Sequence, residues 1–341
     1  MFLMPASRTR PRLVTALNGQ GGALVISSTP QFRLTLTSGV AVTTADVAGA
    51  TTVYATPAGG NQVMIYRGTL MVPRVSSEIA LALDSNAGHT GYQQSGNNFD
   101  CFLYWTGTAV GFGTGPSWSA GAVAGSNTAR GTGAGSTDLQ FITGIATNKN
   151  PITLRVGSAS GNLVTVATNQ ATYIGSIRTT ADGQVEDSAT KRFTWSAFQS
   201  AIRAVLRQET AGTTWTYSTA VWRQVNANTA NKVETLTGLQ GAMVSLKAAA
   251  TFTNSTATLR SGGVAIGQDS TTISAGVPTY LTAASQGAFG VAFLDISSLL
   301  GYHALNWLEM GAGTDTQTWF AQLTPATNSN VGTGIFGTLV G

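Results

Sequence analysis

Apolar and polar residues alternate along most of this chain. From Phe32 onward the stretches FRLTLT, VTTADV, ATTVYAT and QVMIYRGTLMV set hydrophobic residues, many of them β-branched, at every second position. A period of two, broken by Gly, Pro and Asn, predicts half-buried strands. SSEIALAL (Ser76–Leu83) continues the series, and a polar loop, DSNAGHTGYQQSGNN, follows it. FDCFLYW (Phe99–Trp105) is the most apolar strand and the expected centre of a first core. ITLRVG, NLVTVAT and ATYIGSIRTT close this region. Before it, residues 1–31 read as an N-terminal arm with one early strand, ALVIS, reached through GQGG.

The pattern changes after residue 193. Ser196-Ala-Phe-Gln199 fits an S-x-x-Q capping box, and Phe198, Ala201, Ile202, Val205 and Leu206 recur at helical spacing. Gly212 stands just beyond as a stop signal. The prediction is one short α-helix over 197–209 with Arg203 and Arg207 on a common face. WTYSTAVWRQVN then reads as a connecting strand. From Lys232 the alternation resumes in AMVSLKAAATFT, ATLRS, GVAIG, VPTYLTAA, GVAFLDIS, YHALNWLEMG, TQTWFAQL and GIFGTLVG. The expected fold class is all-β: two β-sandwich or jelly-roll-like domains, 32–193 and 232–341, joined by a helix-bearing linker, 194–231.

Composition sharpens this. The chain is 43% hydrophobic but only 9% charged, so Thr, Ser, Asn, Gln and Gly must build its surface. A near-neutral, hydroxyl-rich surface has little charge repulsion to keep copies apart, which suits a subunit covered in an assembly. The 41 glycines disfavour helix, and their density over 107–137 predicts mobile loops or an insertion. Arg8, Arg10 and Arg12 lie on the arm without aromatic interleaving, so they read as a solvated terminus and nucleic acid is not an expected partner. No apolar run approaches the length of a membrane span, and the N-terminal apolar stretch is too short for a signal peptide. Cys101 is alone and sits in the apolar strand, where a buried small hydrophobe is the expected role.

The scarce charge is concentrated. Of 32 charged residues, nine fall between Arg178 and Glu209, where an even spread would put about three against ordinary charged fractions. Arg178, Glu186, Asp187, Lys191 and Arg192 form a candidate structural charge cluster. Phe198, Ile202, Arg203, Val205, Leu206 and Arg207 form a candidate oligomer interface on the expected helix, with Arg203 and Arg207 meeting Glu186, Asp187 or Glu209.

The chemistry-bearing motifs are sparse. The two histidines, His89 and His303, have no metal-ligand spacing around them, and GFGTG and GTGAG lack the lysine and following helix of a phosphate loop. Asp84, Ser85 and His89 offer residue types for a triad but no nucleophile elbow. Glycoside hydrolysis needs only paired carboxylates and aromatic platforms. Asp182, Glu186 and Asp187, or Glu309 and Asp315, could supply the pair, but the nearby arginines and lysine favour ionised structural pairs. No catalytic residue, cofactor or metal is expected.

GATTVYATPAGGNQVMIYRG, EIALALDSN, SGNNFDCFLYW and YIGSIRTTADGQVEDSATKRFTW together resemble a family of tailed-bacteriophage virion proteins. That family carries a strand ending in YxTP, an "SGKNYDVF" segment and "YLGTIRTT…EDSxxKRFVWN". The matches here are Tyr54, Thr56, Pro57, Ser95 to Phe102, Tyr173 to Thr180 and Glu186 to Trp195, and GYHALNWLEMGAGTDTQTWF resembles the strand pair closing the distal domain. The chain departs from the family in the glycine-rich stretch 107–137 and in the expected helix. The resemblance implies a virion structural protein assembled in the host cytoplasm: a trimeric fibre, tail or capsid-decoration subunit whose partners are itself and other virion proteins. A receptor- or glycan-binding module, with exposed Trp, Tyr and Asn meeting host surface glycan, is the alternative. A glycan-cleaving tailspike ranks below both, since no long β-helical repeat is present.

Overall fold

The computed structural model describes residues 29–341 apart from 211, 242, 259, 274, 284–287, 298 and 322–332. The expected arm up to residue 28, with Arg8, Arg10, Arg12 and the ALVIS strand, lies outside the described residues. Within them the chain is all-β, and the helical structure is a single 3-10 turn, Val225–Ala227.

The strand Asn98–Trp105 organises the first part of the chain. Phe99, Cys101 and Leu103 point into one core with Phe32, Ile174 and Phe193, whereas Phe102 and Tyr104 point into another with Tyr173 and Trp195. Alternation therefore buries both faces, which is why this segment reads as the most apolar in the sequence. Ala171–Ala181 pairs with it antiparallel and splits its side chains between the same two cores. Cys101 is fully buried, as expected, and desolvation holds its thiol well above the ordinary value.

A large sheet then runs through the molecule. Its path is Leu163–Val166, Ile152–Arg155, Val110–Ser117, Asn98–Trp105, Ala171–Ala181, Gln184–Asp187, Lys191–Arg192, Lys232–Thr237, Gly301–Met310, Arg260–Gln268 and Ala275–Ala283. Lys191–Arg192 and Lys232–Thr237 pair in parallel, so backbone hydrogen bonding crosses from the first part of the chain to the last. Leu236 belongs to the first core, and Tyr302 packs against it. A third core gathers Trp215, Phe252, Trp307 and Trp319 beneath a separate six-stranded sheet.

The expected helix is not formed. Ile202–Arg207 is a strand, antiparallel to Gly334–Val340 with Ile202 opposite Val340 and Arg207 opposite Ile335. Ser196, the expected cap, lies in the strand Thr194–Ser196, and its hydroxyl accepts a hydrogen bond from the Leu34 amide at 3.0 Å. Gln199 takes a left-handed backbone, φ 54°, that turns the chain between the two strands. The reason lies in IRAVLR itself. Arg203, Val205 and Arg207 fall on one side at a period of two, while Ile202, Val205 and Leu206 fit a helical stripe with Arg203 and Arg207 on another face, and six residues cannot separate the two periods. Tertiary pairing with Gly334–Val340 decides.

The glycine-rich stretch also differs from a mobile loop. Val110–Ser117 is a strand, and the remainder is tied down as a strap. The Asn127 carbonyl accepts from the Tyr302 amide at 2.8 Å and from the Asn98 side chain at 2.7 Å. Gly131 is required by close approach, because a Cβ there would run into the Ala120 carbonyl oxygen.

Candidate assembly face and its buried supports

The charge cluster divides into separate sites. Asp187, 2% exposed, is held by Arg192 at 3.1 Å and Arg203 at 2.9 Å. The Arg192 guanidinium also donates to the Ala204 carbonyl at 3.0 and 2.6 Å, and Arg203 donates to the Thr43 hydroxyl at 3.1 Å. Arg33 lies in the same field and donates to the carbonyls of Ala41, Gln199 and Gly341. Burial, with the like charge of Arg203, lowers Arg33 to about 10, so it remains protonated at neutral pH. Glu186 and Lys191 form a second, more exposed pair at 3.0 Å. Arg178 joins neither. It donates to Asn98 and Asn127 and lies 3.8 Å from the Tyr302 ring centroid.

Two further buried carboxylates follow the same rule. Asp100 receives Arg130 at 2.5 and 2.8 Å, the Trp118 indole N–H at 2.9 Å and the Ser176 hydroxyl at 2.7 Å. Burial works against the Arg130 charge, but Asp100 outweighs it and raises the guanidinium above its ordinary value. Arg130 also donates to the Gly238 carbonyl at 2.7 Å, so one side chain pins the glycine-rich strap to both parts of the molecule. Asp84 pairs with Arg155 and lies 2.9 Å from His89 Nδ1. The second His89 nitrogen faces the Asn86 side-chain amide at 3.1 Å, so the Asp84–Ser85–His89 grouping does not form a hydroxyl relay.

The remaining candidates are also paired. Asp182 accepts the Ser95 amide at 2.7 Å, and Asp315 pairs with Arg260 at 2.6 Å. Glu309, fully buried, receives the Trp215 indole at 2.7 Å, Arg223 at 2.8 Å and the Asn226 amide at 3.0 Å. Burial pushes its carboxyl up to about 7, against the pull of Trp215, Arg223 and Asn226. His303 Nδ1 lies 2.7 Å from Asp269 and its Nε2 3.1 Å from the Leu300 carbonyl, the satisfied arrangement expected of a structural histidine. Among the described residues no group of three or more His, Cys, Asp or Glu is placed to hold a metal ion, and no helix is long and apolar enough to cross a membrane.

The candidate interface residues separate by strand parity. Arg203 and Val205 point inward, 7% and 2% exposed, whereas Ile202 and Leu206 point outward at 73% and 41%. Phe198 is half-buried outside the strand, and Arg207 donates to Asn231 Oδ1 at 3.1 Å. Arg203 thus meets Asp187, as expected, but within one chain.

Ile202 and Leu206 belong to a wider surface. Register places Leu206 opposite Phe336, Phe336 opposite Lys247 and Lys247 opposite Phe293, across four neighbouring strands. Because side chains alternate, all four emerge on the outer face of the six-stranded sheet. Phe293, Phe289 and Met243 are exposed there. Sequence reading missed Phe289, Phe293 and Phe336. The available signal was AFGVAFLDI (Ala288–Ile296), which is apolar at both parities although only one side can face its own core.

No protein-family model, no curated protein and no solved structure matches this chain.

Proposed function

We propose that the chain is a structural subunit of a bacteriophage particle: a fibre, tail or capsid-decoration component, trimeric as its resemblance implies, that performs no reaction. It works by association with copies of itself and with other virion proteins. One observation carries this reading. The outer face of the six-stranded sheet shows Ile202, Leu206, Met243, Phe289 and Phe293 to solvent, while Asp84, Asp100, Asp187 and Glu309 are spent in internal pairs. A chain that buries its charge and exposes aromatic residues on one sheet face is built to be covered. On this reading residues 32–193 and 232–341 are two β-sandwich, jelly-roll-like units, and 194–231 ties them together.

The glycan-binding alternative rested on exposed distal aromatics. The distal tryptophans Trp307 and Trp319 are instead core residues, so neither is an exposed stacking platform. The test is to purify particles of the encoding phage and label this protein in electron micrographs. Regular decoration of head, tail or fibre is the expected result, and absence from the particle overturns the reading.

A further inference from the structure

The outer face carries a pattern beyond its hydrophobicity. Across Ile202–Arg207, Gly334–Val340, Val244–Asn254 and Ala288–Ile296, the outward positions hold two charged residues, Lys247 and Asp295. Ser245 is opposite Asp295 and Lys247 opposite Phe293, so the cation and the anion are diagonal neighbours, Lys247 on Val244–Asn254 and Asp295 near the end of the edge strand Ala288–Ile296. Both are exposed, and the Lys247 ammonium lies 5.1 Å from the Phe293 ring centroid. Around them lie Leu206, Phe336, Phe289 and Met243.

We propose that this face pairs with the same face of a second copy across a two-fold axis running between Lys247 and Asp295. The inference rests on the subunit reading above and names the contact surface. Rotation about such an axis brings Lys247 of each copy against Asp295 of the other and lays the two Phe293-centred aromatic patches together. A two-fold contact is isologous, so a surface with one charge of each sign on either side of the axis is self-complementary. The four strands, six to eleven residues long, cover roughly 500 Å² in plan at about 4.8 Å between strands and 3.4 Å per residue. That is the order of the ~800 Å² per partner in a standard interface, before side-chain relief is counted. The contact adds to the three-fold association expected of a fibre or tail subunit and joins two such units.

The test is light scattering on the full chain, with the variants Lys247→Glu and Asp295→Lys prepared separately and then mixed. The wild-type mass is expected at an even multiple of 35.0 kDa. Each variant creates two like-charge contacts and weakens pairing by roughly tenfold or more, halving the mass at dilute concentration. An equal mixture restores the even multiple, because Glu at 247 then meets Lys at 295 while the native Asp and Lys meet across the other contact. Circular dichroism and melting of each variant alone should match wild type, since both side chains are on the surface. An oligomer whose mass neither variant changes, or a mixture that stays at half mass, overturns the two-fold face and leaves the subunit reading intact. A wild-type chain that remains at 35.0 kDa at high concentration overturns both.

Discussion

The first part of the molecule and the six-stranded sheet use charge in opposite ways. Around Asp84, Asp100 and Asp187, the arginine side chains Arg155, Arg130, Arg192 and Arg203 are only 1%, 10%, 9% and 8% exposed. In the region under the six-stranded sheet, Glu309 has one arginine, Arg223, whose side chain is 30% exposed. Apart from Arg203, which Ile202–Arg207 lends to Asp187, the sheet's inner face is packed with Val205, Leu246, Ala248, Ala250, Phe252 and Ala292, and its outer face leaves aromatic groups uncovered. Buried pairs contribute little net stability but make loss of one partner costly, so the first part is specified by complementary charge. The second is specified by apolar packing, and its uncovered side is available to another surface.

The largest expected effect breaks the first half of this comparison. Asp187→Ala leaves Arg192 and Arg203 buried without a counter-charge, and denaturant melting should show a loss of about 3–5 kcal/mol. The next effect lies in the second region and depends on pH. Glu309 keeps its proton up to about pH 7 in the folded chain, whereas its ordinary value is 4.5. The folded state therefore binds more protons in that window. Its contribution is full below about pH 4.5 and declines by about 3 kcal/mol as the pH rises through 7. Melting from pH 4 to 8 should show that decline, and Glu309→Gln should flatten it.

Smaller effects sharpen the comparison. Gly131→Ala forces the strap away from Ala120, and a loss of about 1–3 kcal/mol is expected on melting. The sharpest contrast is between neighbours. Val205→Ala should cost about 2 kcal/mol through lost burial and a cavity, whereas Leu206→Ala should alter folding stability by no more than about 0.5 kcal/mol. Equal losses at both positions would contradict a strand with one buried side.

Much of the strand inventory was legible in the sequence, because alternation in FRLTLT, ATTVYAT and SSEIALAL reports which side each residue takes. The buried fate of Cys101 was legible from the apolar strand around it. IRAVLR was not, because six residues fit two periods and the deciding partner, Gly334–Val340, lies more than a hundred positions away. The ion pairs show the same limit. Glu186–Lys191 and Asp187–Arg192 are five residues apart and could be anticipated, while Asp100–Arg130 and Asp84–Arg155 span 30 and 71 residues. Such pairs depend on register, which a single sequence does not state. The exposed face was half visible: Ile202 and Leu206 were singled out, but for a helical stripe rather than for the outer row of a sheet.

The position of Gly334–Val340 between Ile202–Arg207 and Val244–Asn254 sets an order of events during synthesis. A nascent chain that has emerged only to residue 330 has both neighbours but not the strand that joins them, and Leu206 and Phe293 cannot yet share a surface. Long-range pairing of this kind is slow to form and is completed late. The complete outer face, with Leu206 and Phe293 on one surface, is therefore a late product of folding.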